Sequence, residues 1–168
     1  MAEVDGLGLP NVTYTINDSV ENLLSAIDGA QYSGILANAS EVNVNQGAER
    51  ALSLDEMKSL VEIVGSFPAD IAMNVADDAE TILQFKNSSL GTERLSVYDA
   101  DSIVATNLDG GSPSVNIDGV DELVSLKHFD LDNSSFNILE DNTVNVLDLI
   151  RSNDPDKSTI LANSNITI

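Results

Sequence analysis

Closely spaced side-chain oxygens are the groups in this chain with the most chemistry in them. In Asp130-Leu131-Asp132-Asn133, oxygen-bearing side chains stand one residue apart or adjacent. Such hard ligands can wrap a Ca²⁺ ion when they lie in a loop. Asp99-Ala100-Asp101 and Asp154-Pro155-Asp156 repeat the spacing. The sequence thus suggests one possible cofactor, Ca²⁺, held by Asp130, Asp132 and Asn133. Neither the EF-hand loop nor the Gly-rich nonapeptide repeat is present. The pairs Asp77-Asp78, Asp99/Asp101 and Asp121-Glu122 have the spacing of acid–base dyads. With 28 Asp and Glu among 168 residues, however, such pairs arise by composition, and helix capping or a solvated face accounts for them.

Other catalytic chemistry has little to build on. Cysteine is absent, which removes disulfides, thiol catalysis and Cys-ligated zinc, and there is a single histidine, His128. His128 is read at a helix end, where the negative pole of the dipole favours it. Ser33-Gly34 and Asn107-Leu108-Asp109-Gly110-Gly111 read as turns with no phosphate-loop lysine nearby. No catalytic residue is assigned, and an enzyme is not expected. The net charge of −21 repels phosphate backbones and anionic lipid, which argues against nucleic-acid and membrane-surface partners. No apolar run approaches the ~18 residues that span a bilayer. The opening Met1-Ala2-Glu3-Val4-Asp5 lacks the basic and apolar regions of a signal peptide. Acidity, abundant Asn and Ser, and 4% aromatics nevertheless suit an extracellular or cell-surface protein, as do the sequons at Asn11, Asn17, Asn38, Asn87, Asn133 and Asn165.

What positions these residues is a repeat. The pattern of Asp18-Ser19-Val20-Glu21-Asn22-Leu23-Leu24 recurs from Asp55, Asp77 and Asp118, and more weakly from Asp141. The aspartates are 37, 22, 41 and 23 residues apart, so the full period spans two copies: 59 residues from Asp18 to Asp77, then 64 to Asp141. A second echo links Ile35-Leu36-Ala37-Asn38, which runs into Val42-Asn43-Val44, with Ile160-Leu161-Ala162-Asn163, which runs into Ile166-Thr167-Ile168.

Each copy reads as strand, cap, helix. Val20, Leu23, Leu24 and Ile27 share one helix face, as do Met57, Leu60, Val61 and Val64, and Val120, Leu123 and Val124. Asp18, Asp55, Asp77, Asp118 and Asp141 are expected to cap these helices, with a Ser53–Glu56 capping box as the alternative for the second. Short strands are expected at Tyr14–Ile16, Leu52–Leu54, Met73–Val75, Val115–Ile117 and Phe136–Leu139, ahead of the helices. Glu41–Asn45 and Arg94–Tyr98 alternate apolar and polar and read as strands behind them. Strands joined through helices should run parallel.

These stretches predict an α/β solenoid-like stack, with a mainly parallel sheet on one side and short helices on the other. The alternative is a compact mixed α/β domain built from two repeats. Residues 1–13 read as a linker and 14–168 as a single repeat domain. Its copies cover about 14–72, 73–135 and a partial 136–168. Asp99 to Ser114 reads as an irregular insertion. Ending mid-repeat, the chain should expose Ile160, Leu161, Ile166 and Ile168 as an edge for end-to-end association.

The run Tyr14-Thr15-Ile16-Asn17-Asp18-Ser19-Val20-Glu21-Asn22-Leu23-Leu24, with Val42-Asn43-Val44 and Leu52-Ser53-Leu54-Asp55-Glu56-Met57, resembles tandem-repeat segments of giant bacterial proteins, cyanobacterial and marine ones especially. The resemblance covers most of residues 14–168 and is weakest after Asp141. It implies a secreted or cell-surface adhesin-like or matrix protein exported by type I secretion, with no defined ligand. The expected function is a non-catalytic structural repeat module that spaces or self-assembles a surface, matrix or filament protein, partnered by further copies. A Ca²⁺-dependent module binding glycan or a neighbouring cell is the alternative. Absent Trp and only three Tyr argue against a sugar-stacking platform.

Overall fold

The computed structural model describes residues 13–29, 33–64, 67–106, 114–139 and 142–167. Among these the chain is mixed α/β, with eight helices and three small parallel two-stranded sheets. The first sheet pairs β1 (Thr15–Ser19) with β2 (Glu41–Gln46), with α1 (Val20–Asp28) and α2 (Ser33–Asn38) between them. The element α3 (Leu54–Ile63) follows. The order then returns as β3 (Asn74–Asp77), α4 (Ala79–Lys86), α5 (Gly91–Tyr98) and β4 (Ser102–Ala105), followed by α6 (Ile117–Val124). It returns again as β5 (Phe136–Leu139), α7 (Thr143–Arg151), α8 (Pro155–Ala162) and β6 (Ser164–Thr167). Thr15, Asn74 and Phe136 open the three rounds, 59 and then 62 residues apart.

Parallel pairing follows from the connections, because a chain that must return to its starting end needs a crossover, here two short helices. Single parallel bridges tie the sheets to their surroundings: Leu52 to Val75, Ile103 to Phe129, and Val115 to Ile138. Inward residues of the strands and the apolar helix faces merge into one core, from Val20 through Leu54, Met57, Ile82, Ile103 and Leu123 to Phe136 and Ile160.

Several local expectations are corrected. Arg94–Tyr98 belongs to α5 and is no strand. Over five residues its alternation fits either period. The burial is helical: Ser96 and Val97 are buried while Leu95 is 47% exposed, and Ser96 returns its hydroxyl to the Thr92 carbonyl at 2.7 Å. The supposed insertion after Asp99 contains β4. Leu52 and Val115 make one bridge each, and Leu54 and Ile117 already begin helices. The echoed Ile35–Asn38 and Ile160–Ala162 are helix ends, each leading to the second strand of a pair.

The caps also differ from expectation. Ser19, Asp78, Asn116 and Asn142 cap α1, α4, α6 and α7, and Ser53 caps α3 in a capping box with Glu56. Asp18 and Asp77 stand one residue before the cap, as the last acidic positions of their strands. Asp55 and Asp118 lie in first turns, where a carboxylate complements the dipole without capping. Asp141 lies outside the described residues.

Candidate functional site

The acidic clusters can be followed residue by residue. In the tightest, the Asp130 carboxylate accepts the Asn133 backbone N–H at 3.2 Å and its Nδ2 at 2.8 Å. The two residues close a turn on each other, and Asp132 is exposed beside them. Among the described residues no three His, Cys, Asp or Glu side chains gather as a metal set. Asp130, Asp132 and Asn133 therefore do not fit a Ca²⁺ cage, since the oxygens that would face a cation are spent on amide donors. The turn has another use. Ser134, wholly within the core, donates its hydroxyl to the Asp130 carbonyl at 2.6 Å and accepts the Ala105 N–H at 3.0 Å, satisfying β4 at its end.

Asp154-Pro155-Asp156 is a helix start. The Asp154 side chain accepts the Asp156 N–H, and Pro155 occupies the first turn, where its missing N–H costs nothing. This signal for α8 was present in the sequence, but the helix was not read from it. Asp99 and Asp101 line the largest depression described, about 440 Å³, together with Phe67, Pro68, Ile71, Met73 and Leu95. The Asp101 carboxylate accepts the Met73 N–H at 2.8 Å and so holds the start of β3. Burial raises the Asp99 carboxyl above its ordinary range. One half-buried acid beside a carboxylate already engaged by backbone, with apolar walls, makes a depression and no acid–base pair.

The strongest carboxylate placement is Asp77, which is buried. One oxygen accepts the Asp78 N–H at 2.9 Å and the other accepts the Leu54 N–H at 2.9 Å. Asp77 therefore links the end of β3 to an otherwise orphaned donor in the first turn of α3. No local signal announces this bond, which joins residues 23 apart. Asp18 occupies the corresponding place after β1. One of its oxygens accepts the Ser19 N–H at 2.9 Å and the Asn22 Nδ2 at 2.6 Å.

Basic side chains serve the same purpose. Lys58 of α3 meets Glu93 of α5 at 3.1 Å, and Lys86 of α4 meets Glu122 of α6 at 2.9 Å. Arg50 forks onto Glu56, and that contact first of all holds the Glu56 carboxyl down to about 2.

The expected association edge is corrected as well. Ile160 is only 2% exposed, and Leu161 and Ile166 pack half-buried against the core, because this segment folds as α8 and β6 onto β5. Ile168 lies outside the described residues. The exposed apolar side chains of this region are on α7 and at the end of β5: Val144, Leu147, Ile150 and Leu139.

No family model, curated protein or solved structure matches this chain. No helix among the described residues is long and apolar enough to cross a membrane.

Proposed function

We propose that this chain is a non-catalytic structural repeat module, stacked as a solenoid, that spaces or self-assembles an extracellular surface, matrix or filament protein. The observation that carries the reading is the threefold return of strand, two helices and parallel strand, with α3 and α6 passing from one round to the next. Units that share helices and core with their neighbours are the form in which repeat proteins gain stability by stacking. The polar groups that first suggested chemistry are employed in holding backbone: Asp77 on Leu54, Asp101 on Met73, Ser134 on Ala105. The copies about 14–72, 73–135 and 136–168 are the units of this stack.

Light scattering across a NaCl series tests the assembling role. At −21 per molecule, copies repel one another at low salt, and screening within a Debye length of about 10 Å at 0.1 M relieves that repulsion. Particle mass is expected to grow with salt. A monomer at every salt concentration overturns self-assembly.

A further inference from the structure

The face of α7 that carries Val144, Leu147 and Ile150 is open where its two counterparts are covered. Counting from the caps Ser19, Asp78 and Asn142 aligns α1, α4 and α7. The fifth residue after the cap is then Leu24, Leu83 or Leu147, and the eighth is Ile27, Lys86 or Ile150.

In the first round α3 packs on α1. Leu24 is 9% exposed there, Ile27 packs against the core, and the Glu21 carboxylate accepts the Glu49 N–H at 2.9 Å on the approach to α3. In the second round α6 packs on α4. A Cβ at Gly119 would lie 3.1 Å from Leu83 Cδ1, so α6 presses directly onto that leucine, and Lys86 reaches Glu122 at 2.9 Å. In the third round α7 buries Val146 and Leu149, while Leu147 is 37% exposed and Ile150 53%. Val144, in the place of the acidic Glu21 and Glu80, is 62% exposed and widens the apolar stripe.

We infer that this face of α7 is a docking site for one further helix of the α3 and α6 kind, presented by a neighbouring repeat unit. The occupant's chemistry can be read from the two helices that already fill the equivalent place. Each is short, enters behind a Ser or Asn cap, and carries apolar residues at the first, fourth and seventh positions: Leu54, Met57 and Leu60, or Ile117, Val120 and Leu123. In both rounds the helix seats on the cap-to-eighth-residue face of its partner, and α7 supplies that face in a more apolar form. The inference rests on the repeat-module reading and names the contact through which a unit receives its neighbour.

The test adds a copy of the segment Gly47–Val64 after Ile168 of the full chain, which supplies an α3 helix behind its natural approach. The expected result is a melting midpoint raised by about 3 °C or more over the unextended chain. The pair Leu147→Asp and Ile150→Asp should abolish the rise. That pair sits on exposed positions, and its unextended form serves as the folding control. In trans, a Gly47–Val64 peptide should bind the unextended chain at least tenfold more tightly than it binds the double variant. An extended chain that melts no higher than the unextended one, or a rise that survives both aspartates, overturns the docking site. The two readings fail separately. A chain monomeric at every salt but stabilised by the added helix loses the assembling role and keeps the site. Salt-driven association with no response to the helix does the reverse.

Discussion

The buried carboxylate of Asp77 accepts the backbone N–H of Leu54 at 2.9 Å, fastening the end of one strand to the start of a helix that precedes it in the chain. Leu54 is itself fully buried, so no water can replace the bond. Asp77→Ala leaves that donor unsatisfied and should cost about 1–3 kcal/mol. Asp18→Ala, at the corresponding but exposed site, should stay within about 0.5 kcal/mol. Urea unfolding of the two variants side by side measures the difference. Equal losses would show that Asp77 is no more than a second helix-start acid.

Ser134 makes a similar demand on the fold. Its hydroxyl stands between the Asp130 carbonyl and the Ala105 N–H with no solvent access. Ser134→Ala should lose about 1–3 kcal/mol, and Asp130→Asn, which keeps the carbonyl, far less. CaCl₂ should raise the midpoint of wild type and Asp130→Asn alike, since the turn there holds no ion. A Ca²⁺ response lost in Asp130→Asn would restore the cation site.

The capping box of α3 sets a pH dependence with a definite sign. The Glu56 carboxyl lies near 2 when folded, against an ordinary 4.5, with the Arg50 contact as the largest cause. A depressed acid stabilises the fold fully above its unfolded value and loses that contribution as pH falls from about 4.5 through about 2. Both partners are part-exposed, so the effect is modest and weakens with salt. Glu56→Gln should flatten the stability profile in that window and leave the profile above pH 5 parallel to wild type. Chemical denaturation at stepped pH reads this out.

Gly119 offers a test of how closely α6 lies on α4. A leucine there would collide with Leu83 Cδ1 and with the Asn116 Oδ1 that caps the helix. Gly119→Leu should destabilise by more than about 1 kcal/mol. Leu83→Ala opens space on the other side, so the double variant should be less destabilised than the sum of the two single ones. Strict additivity would mean that the two helices are not in register at this contact.

The sequence was most legible where a pattern ran over a full helix. The stripes Val20-Leu23-Leu24 and Met57-Leu60 lie on buried faces, and strands β1, β2, β3 and β5 fall within a residue or two of their expected places. Caps slipped because Asp18-Ser19 and Asp77-Asp78 each place two competent residues side by side, and local chemistry does not choose between them. The choice comes from the strands, which continue through Asp18 and Asp77 in pairing with Val44 and Ala105. Leu95 and Val97 were misread because five residues are too few to separate a period of two from 3.6. The apolar surplus of α7 was visible in the sequence as two adjacent stripes, Val144-Leu147-Ile150 beside Val146-Leu149. Which stripe faces the core depends on α8 and β6, whose packing lies beyond any local window.

The strand pairs close over short stretches of chain: Thr15 meets Glu41, Asn74 meets Ser102, and Phe136 meets Ser164. Low contact order of this kind favours rapid folding, and it lets each pair form before the following one has left the ribosome. The exceptions are Leu52 and Val115, which wait for Val75 and Ile138. A growing chain would therefore carry one unfinished seam at its leading end at any moment, sealed each time the next strand arrives.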